Sequence, residues 1–222
     1  MTYIIHAGPN DAARHLILAH GAGAGIDSPF MTEIANLLAA RGIGLTLFEF
    51  AYMAQRRTGG PRRPPPKTHV LAGEYAGVIK SLSAKRQPGQ TLTIGGKSLG
   101  GRVASLIADE TYKAGNISGL ICLGYPFHPP GKPEKLRTAH LADLTCPSLI
   151  LQGERDPFGN RAEVEAFDLP AAIQFHWLSD GDHDFGPRGA SGFTRKGNLI
   201  TAADTVAEFM QHLKPSLKPP CD

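Results

Sequence analysis

Cysteine is scarce in this chain, with three among 222 residues, at positions 122, 146 and 221. The number is odd and no C-x-x-C pair occurs. That argues against a disulfide framework and against a zinc site, and makes a reducing, cytoplasmic setting the default expectation. Long hydrophobic runs are also missing. No uninterrupted apolar stretch approaches the ~18 residues of a membrane span. The opening residues, MTYIIHAGPNDAARH, lack the cationic-then-apolar order of a signal peptide. Net charge is small too, since 23 Lys and Arg against 20 Asp and Glu leave +3. Residues 56–67, RRTGGPRRPPPK, hold five positive charges and no acid, so the rest of the chain is net −2. This is a mildly acidic body with one basic loop, which argues against a nucleic-acid partner.

Glycine and proline are plentiful. The 26 Gly and 18 Pro make up about a fifth of the chain, against an average of ~12%. They follow no fixed period, which excludes collagen-like and repeat architectures and implies many tight turns. With 41% hydrophobic and 19% charged residues, the composition is globular. The length fits one domain over 1–222. Pro-rich segments at 61–66 and 126–133 are short enough to be loops, and the tail LKPSLKPPCD is expected to fray.

Apolar runs alternate with helical periods. Strands are predicted at 2–6, 16–19, 43–50, 91–94, 117–123, 147–151 and 172–178. Several are almost continuously apolar, as strands covered on both faces must be. Helices are predicted from Ser28-Pro29 to Arg41-Gly42, over 68–86 and 99–114, briefly over 160–168, and over 198–213. Alternation of this kind gives βαβ units and a mainly parallel sheet. Ligands then sit beyond the carboxyl ends of the strands, so residues just after strands are the candidates for chemistry.

The first such candidate is Ser98, in Gly95-Gly96-Lys97-Ser98-Leu99-Gly100-Gly101. G-x-S-x-G between a strand and a helix projects a serine hydroxyl from a strained turn, and its glycines relieve the clash where strand and helix converge. A P-loop is excluded because position 91 is Thr, not Gly. Serine needs a base. Of nine histidines, His183 in SDGDHDF directly follows a strand. His176 lies within that strand, and His6, His15, His69, His140 and His212 lie away from strand ends. His128, in a Pro-rich loop, is the runner-up. The base needs a carboxylate behind it. Asp156, after PSLILQG and before Pro157, is preferred, with Glu154 as the alternative. Asp182 and Asp184 adjoin His183 too closely to reach its ring and read as loop caps.

The loop His20-Gly21-Ala22-Gly23-Ala24-Gly25 follows an early strand. It is placed to supply the second backbone donor of an oxyanion hole, opposite the N–H of Leu99. Ala22 is the first choice and Gly23 the second, with His20 ordering the loop. The glycine spacing is not that of a dinucleotide site.

HGAGAG, GGKSLGGR, GERDPFG and DGDHDF, in that order across 16–213, resemble the α/β-hydrolase superfamily. More closely, the chain is similar to its small, lidless, dienelactone-hydrolase-like branch. The resemblance implies an eight-stranded, mostly parallel sheet, of which seven strands are counted here. It also implies Ser98, Asp156 and His183 as a triad and Leu99 with Ala22 as oxyanion donors. Dienelactone hydrolases carry Cys where this chain has Ser98, so their substrate does not carry over. The expected activity is hydrolysis of an ester or thioester through an acyl-enzyme, with no cofactor and no metal. The alternatives are acyl transfer, or a non-catalytic interaction module on the same fold. Only about 23 residues separate Leu123 from Pro147, too few for a lid domain. Tyr125, Phe127 and His128 are candidate walls of an open pocket. Arg56 and Arg57, with Arg62 and Arg63, are candidates to attract an anionic substrate, against the plainer expectation of a solvated loop.

Overall fold

The computed structural model describes residues 2–215. Seven strands form one sheet: β1 (Tyr3–Ala7), β2 (Arg14–Ala19), β3 (Gly44–Glu49), β4 (Thr91–Lys97), β5 (Gly119–Leu123), β6 (Ser148–Gly153) and β7 (Ile173–Leu178). Their spatial order is β1-β3-β2-β4-β5-β6-β7. Only β1 runs antiparallel, against β3; the other pairs are parallel.

Alternation along the strands divides the core into two layers. Ile17, Ala19, Leu120, Cys122 and Ile150 face one layer, together with Leu71, Tyr75, Val103 and Ala104 of helices α3 (Thr68–Ser83) and α4 (Leu99–Lys113). Leu16, Leu18, Ile121, Leu123, Leu149 and Leu151 face the other, against Ile34 and Leu38 of α1 (Pro29–Ala39) and Leu199, Ala203 and Val206 of α6 (Arg195–His212). Helices therefore cover both faces, which is why the central strands read as nearly continuous apolar runs. Cys122 and Cys146 are buried free thiols. Cys221 and the end of the tail expected to fray, residues 216–222, lie outside the described residues.

Element boundaries follow local chemistry. Helix α1 starts with Pro29 in its first turn and stops where Gly42, at φ 74°, lets its N–H and that of Ile43 bond back to Ala39 and Leu38. Strand β4 runs three residues beyond its apolar part, through Gly95 and Gly96, into the turn that carries Ser98. The 160–168 helix is shorter than expected: α5 spans Arg161–Val164, closed by a reciprocal Asn160–Glu163 capping box. Three short elements are additional to the sequence expectation. Ala51–Ala54 form a short helix, α2, continued by a 3₁₀ turn at Gln55–Thr58, and another 3₁₀ turn lies at Ala139–Leu141. That second turn is the sole helical element between β5 and β6, so no lid domain is inserted there among the described residues. No helix among them is long and apolar enough to cross a membrane.

Candidate active site

Ser98 caps α4 directly after β4 and takes φ 50°, ψ −111°. A non-glycine residue with positive φ is held against its preference, at a cost of ~1–3 kcal/mol. The turn is held by the Ser98 N–H, which donates to Leu123 O at 3.0 Å, and by the tight approach of its glycines. A Cβ on Gly100 would lie 2.5 Å from Ala19 O and 2.7 Å from His20 O; one on Gly96 would lie 2.6 Å from the Gly100 carbonyl carbon. Any side chain at either position would push β2, β4 and α4 apart. Among the described residues the Ser98 hydroxyl makes no hydrogen bond.

Asp156 is fully buried in the turn after β6. Its Oδ1 accepts from the Phe158 N–H at 2.8 Å, and its Oδ2 from Gln152 Nε2 at 3.0 Å and from His183 Nδ1 at 2.7 Å. Gln152 is in turn fixed by Tyr125 and by the Gly159 carbonyl. The carboxylate is thus held by three groups at once, and one of them, Gln152, is itself fixed. The His183 ring packs on Phe158, with centroids 4.3 Å apart. With Nδ1 engaged, Nε2 is the nitrogen left to take up a proton. Glu154, the alternative acid, is occupied elsewhere: it accepts from the Asp180 N–H at 2.8 Å and pairs with Arg161 at 3.1 Å.

The loop carrying His183 is itself tightly built. Asp182 Oδ1 accepts from the N–H groups of Asp184 and Gly186, as a loop cap does. Asn198 of α6 donates to the carbonyls of Ser179 and Phe185. Lys97 is a contributor that sequence reasoning missed. Its ammonium lies in the interior, donates to His183 O at 2.8 Å, pairs with Asp184 at 3.2 Å and sits over the Phe30 ring. Burial pushes its pKa down, against the pull of Asp184, Asp156 and Asp182. The lysine next to the serine therefore ties the end of β4 to the loop that carries His183. A Cβ on Gly124 would meet both Lys97 Nζ, at 3.2 Å, and His183 Nδ1, at 3.3 Å. The ends of β4 and β5 and the His183 loop thus converge.

The 20–25 loop passes over the serine: a Cβ on Gly21 would lie 3.9 Å from Ser98 Cβ. Ala22 and Gly23 are exposed. His20 is fully buried. Its Nδ1 contacts Gly21 O at 2.6 Å and its Nε2 accepts from the Phe50 N–H at 3.2 Å. Those partners define a neutral ring with the proton on Nδ1, and burial pushes its pKa down. Tyr52 adds a hydroxyl donated to Ala22 O at 3.1 Å. The backbone that would offer the Ala22 N–H is therefore held in place, while Leu99 offers its N–H at the first turn of α4.

Five residues expected at a pocket have their side chains engaged elsewhere. Tyr125 and Phe127 are fully buried, edge-to-face at 4.8 Å, and belong to the core. The chain turns inward after β5, so these rings pack under the sheet edge and do not line a pocket. His128 is also buried, its Nδ1 2.9 Å from Pro129 O and its Nε2 3.4 Å from Glu163. Arg57 has its charge engaged. It forks onto buried Glu49 with two 2.8 Å bonds, pairs with Asp27 at 3.1 Å and stacks on Tyr3. Arg56 lies over Tyr52 and donates to Arg63 O at 2.9 Å. Its neighbour Arg57 closes the turn onto β3, so the start of the basic segment is ordered helix rather than free loop. A cavity of about 1140 Å³ lies at the opposite, amino-terminal edge of β5–β7, lined by Ser118, Phe175, His176 and Phe209. It touches none of these candidates.

Solved structures of similar shape span nearly the whole chain. A dienelactone hydrolase from Anabaena variabilis aligns with TM-score 0.69 and 21% identity over 96% of this chain and 92% of its own. An alpha-beta serine hydrolase homologue from Coxiella burnetii aligns with TM-score 0.69 and 17% identity, covering 93% and 90%. A serine hydrolase without lid from Xanthomonas campestris aligns with TM-score 0.65 and 17% identity, covering 98% and 91%. At such identities the likeness is one of fold. Residues 12–211 match the family described as alpha/beta hydrolase domain, and the chain belongs to that family.

Proposed function

We propose that this protein is a serine hydrolase that cleaves an ester or thioester through an acyl-enzyme on Ser98. The observation that carries this reading is the 2.7 Å bond between His183 Nδ1 and the buried Asp156, on the same sheet edge as the strained Ser98. In the first step Ser98 Oγ bonds to the substrate carbonyl carbon, and its proton passes to His183 Nε2. Asp156 holds the ring's orientation and stabilises the imidazolium. The carbonyl oxygen takes the negative charge and is met by the N–H groups of Leu99 and Ala22. Collapse expels the alcohol or thiol, which takes the proton from His183. Water then repeats the sequence on the acyl-enzyme and frees Ser98. Among the described residues no hydrogen bond joins the Ser98 hydroxyl to His183, and such bonds often tighten only once substrate is bound.

The test is labelling with a fluorophosphonate probe, followed by turnover of short p-nitrophenyl esters and acyl thioesters. Wild type should label at Ser98, and Ser98→Ala should neither label nor turn over. Asp156→Asn should keep the fold but lose about 10⁴ in kcat, the scale on which a misdirected tautomer acts in other triads. Unlabelled wild type would favour a non-catalytic interaction module. Product partitioning that depends on an added acceptor would indicate acyl transfer.

A further inference from the structure

Two arginines beside the candidate site take no part in the steps above. Arg102 is one turn into α4, its backbone N–H on the carbonyl of Ser98 at 3.0 Å. Arg137 lies on the segment between β5 and β6. Its backbone N–H donates to Phe127 O at 2.7 Å, and its carbonyl accepts the Tyr125 hydroxyl at 2.9 Å. Helix and segment are stitched together by Ser105 Oγ, 2.8 Å from His140 Nε2, with the Tyr125 hydroxyl 3.5 Å from the same nitrogen. These contacts, with Ser105 Oγ also donating to Arg102 O at 2.8 Å, hold residues 137–140 against the turn of α4 that carries Arg102.

Neither guanidinium has a carboxylate partner among the described residues. Arg102 Nε is buried without any hydrogen-bond acceptor. Asp109, the acid further along the same helix face, is taken by Lys113, Thr145 and Cys146. His140 supplies no charge at neutral pH, because burial and then Arg102 push its pKa down to about 4. A half-buried pair of like charges is costly to hold without a counter-ion, and burial, reinforced by Arg102, lowers the Arg137 pKa. A partner that would offset this cost is an anion. Guanidinium forks suit the paired oxygens of a carboxylate or phosphate. Arg102 lies four residues after Ser98, about 6 Å along the helix axis, and helical side chains lean toward the helix N-terminus. A side chain that follows this rule extends toward the serine.

We propose that Arg102 and Arg137 form an anion subsite beside Ser98 that holds a carboxylate or phosphate group of the substrate. This rests on the hydrolase reading and narrows it to acyl substrates carrying such a group. It also moves the recognition of negative charge from the 56–67 segment to α4 and the segment after β5.

The test compares 4-nitrophenyl hemisuccinate, with a terminal carboxylate, against neutral 4-nitrophenyl butyrate. Wild type is expected to favour the anionic ester in kcat/KM by about tenfold or more. Arg102→Met and Arg137→Met should each collapse that ratio toward one. Arg102→Lys and Arg137→Lys, which keep the charge without the fork, should give intermediate ratios and guard against loss of fold, which melting curves report. Arg62→Met, in the exposed basic loop, should leave the ratio intact. An equal ratio in wild type and both Met variants overturns the subsite, as does a ratio that falls only in Arg62→Met. Calorimetry with succinate and with inorganic phosphate separates this from failure of the hydrolase reading and tells the two anion types apart. If Ser98 does not label but either anion binds wild type and not Arg102→Met, the subsite stands without the hydrolase. If neither anion binds and the ester ratio is flat, it falls.

Discussion

Ser98 keeps its φ of 50° only because its neighbours leave it no alternative. Gly100 is packed with little room, because the atoms that crowd it are backbone carbonyls of residues 19 and 20, which cannot rotate away. Gly100→Ala should therefore cost more than ~2 kcal/mol by denaturant midpoint and abolish probe labelling, since a strained site survives only while its surroundings enforce it. Near-normal labelling at unchanged stability would show that the turn is more pliant than these contacts imply. Lys97 acts differently. Lys97→Met removes the tie to the His183 carbonyl but also a desolvated charge, so the two effects on stability oppose each other. Little change in Tm is expected, with kcat lower by about tenfold as the His183 loop loosens. A large fall in Tm at unchanged kcat would make Lys97 a stability residue only. Ser98 and its glycines are legible from spacing alone, because the motif is a consequence of backbone crowding. Lys97 is not, since a lysine in sequence reads as solvated until the 179–187 loop is seen to close over it.

Strand β4 is tied to its neighbours by more than its ladder. Tyr75 of α3 is fully buried, and its hydroxyl lies 2.8 Å from Ile17 O, 2.7 Å from Gly95 O and 2.9 Å from the Gly95 N–H. One proton serves one of the two carbonyls while the oxygen accepts the N–H. A helix thereby completes the bonding of the strand that leads into Ser98. Tyr75→Phe strands those groups in the interior, and such a loss costs about 1–3 kcal/mol. Chemical denaturation should show that decrease with the denaturant dependence unchanged, and an unchanged midpoint would mean that water replaces the hydroxyl. The strands and main helices are readable because burial on both faces imposes their apolar runs. The helix over Ala51–Ala54 is not. It depends on Arg57 folding back onto Glu49, eight residues away, which periodicity does not report. Tyr125 and Phe127 fail for a related reason: aromatic residues after a strand look alike whether the chain then turns outward to a pocket or inward to the core.

For the molecule as a whole, buried histidines set how stability depends on pH. His15 and His140 are each lowered to about 4, chiefly by burial, with His6 adding to the first and Arg102 to the second. His20 and His176 are lowered as well, again mainly by burial. In the unfolded chain these rings titrate near 6.5. Between about 6.5 and 4 the unfolded state therefore binds protons that the folded state refuses, and stability falls as pH falls through that window. Below about 4 both states hold the proton on His15 and His140, and their contribution no longer changes. Asp180 works in a separate range. Its hydrogen bonds to Arg188 lower its pKa to about 2, so its contribution is present above the ordinary carboxylate value and is lost only as pH drops toward 2. The window from 6.5 to 4 thus isolates the histidines. Melting temperature should decline steadily across it in wild type. His140→Gln, which keeps a polar group beside Ser105 but cannot take a proton, should decline less steeply while starting from a similar or lower Tm at pH 7. Equal slopes in wild type and variant would show that the His140 ring reaches solvent and charges freely in the folded protein.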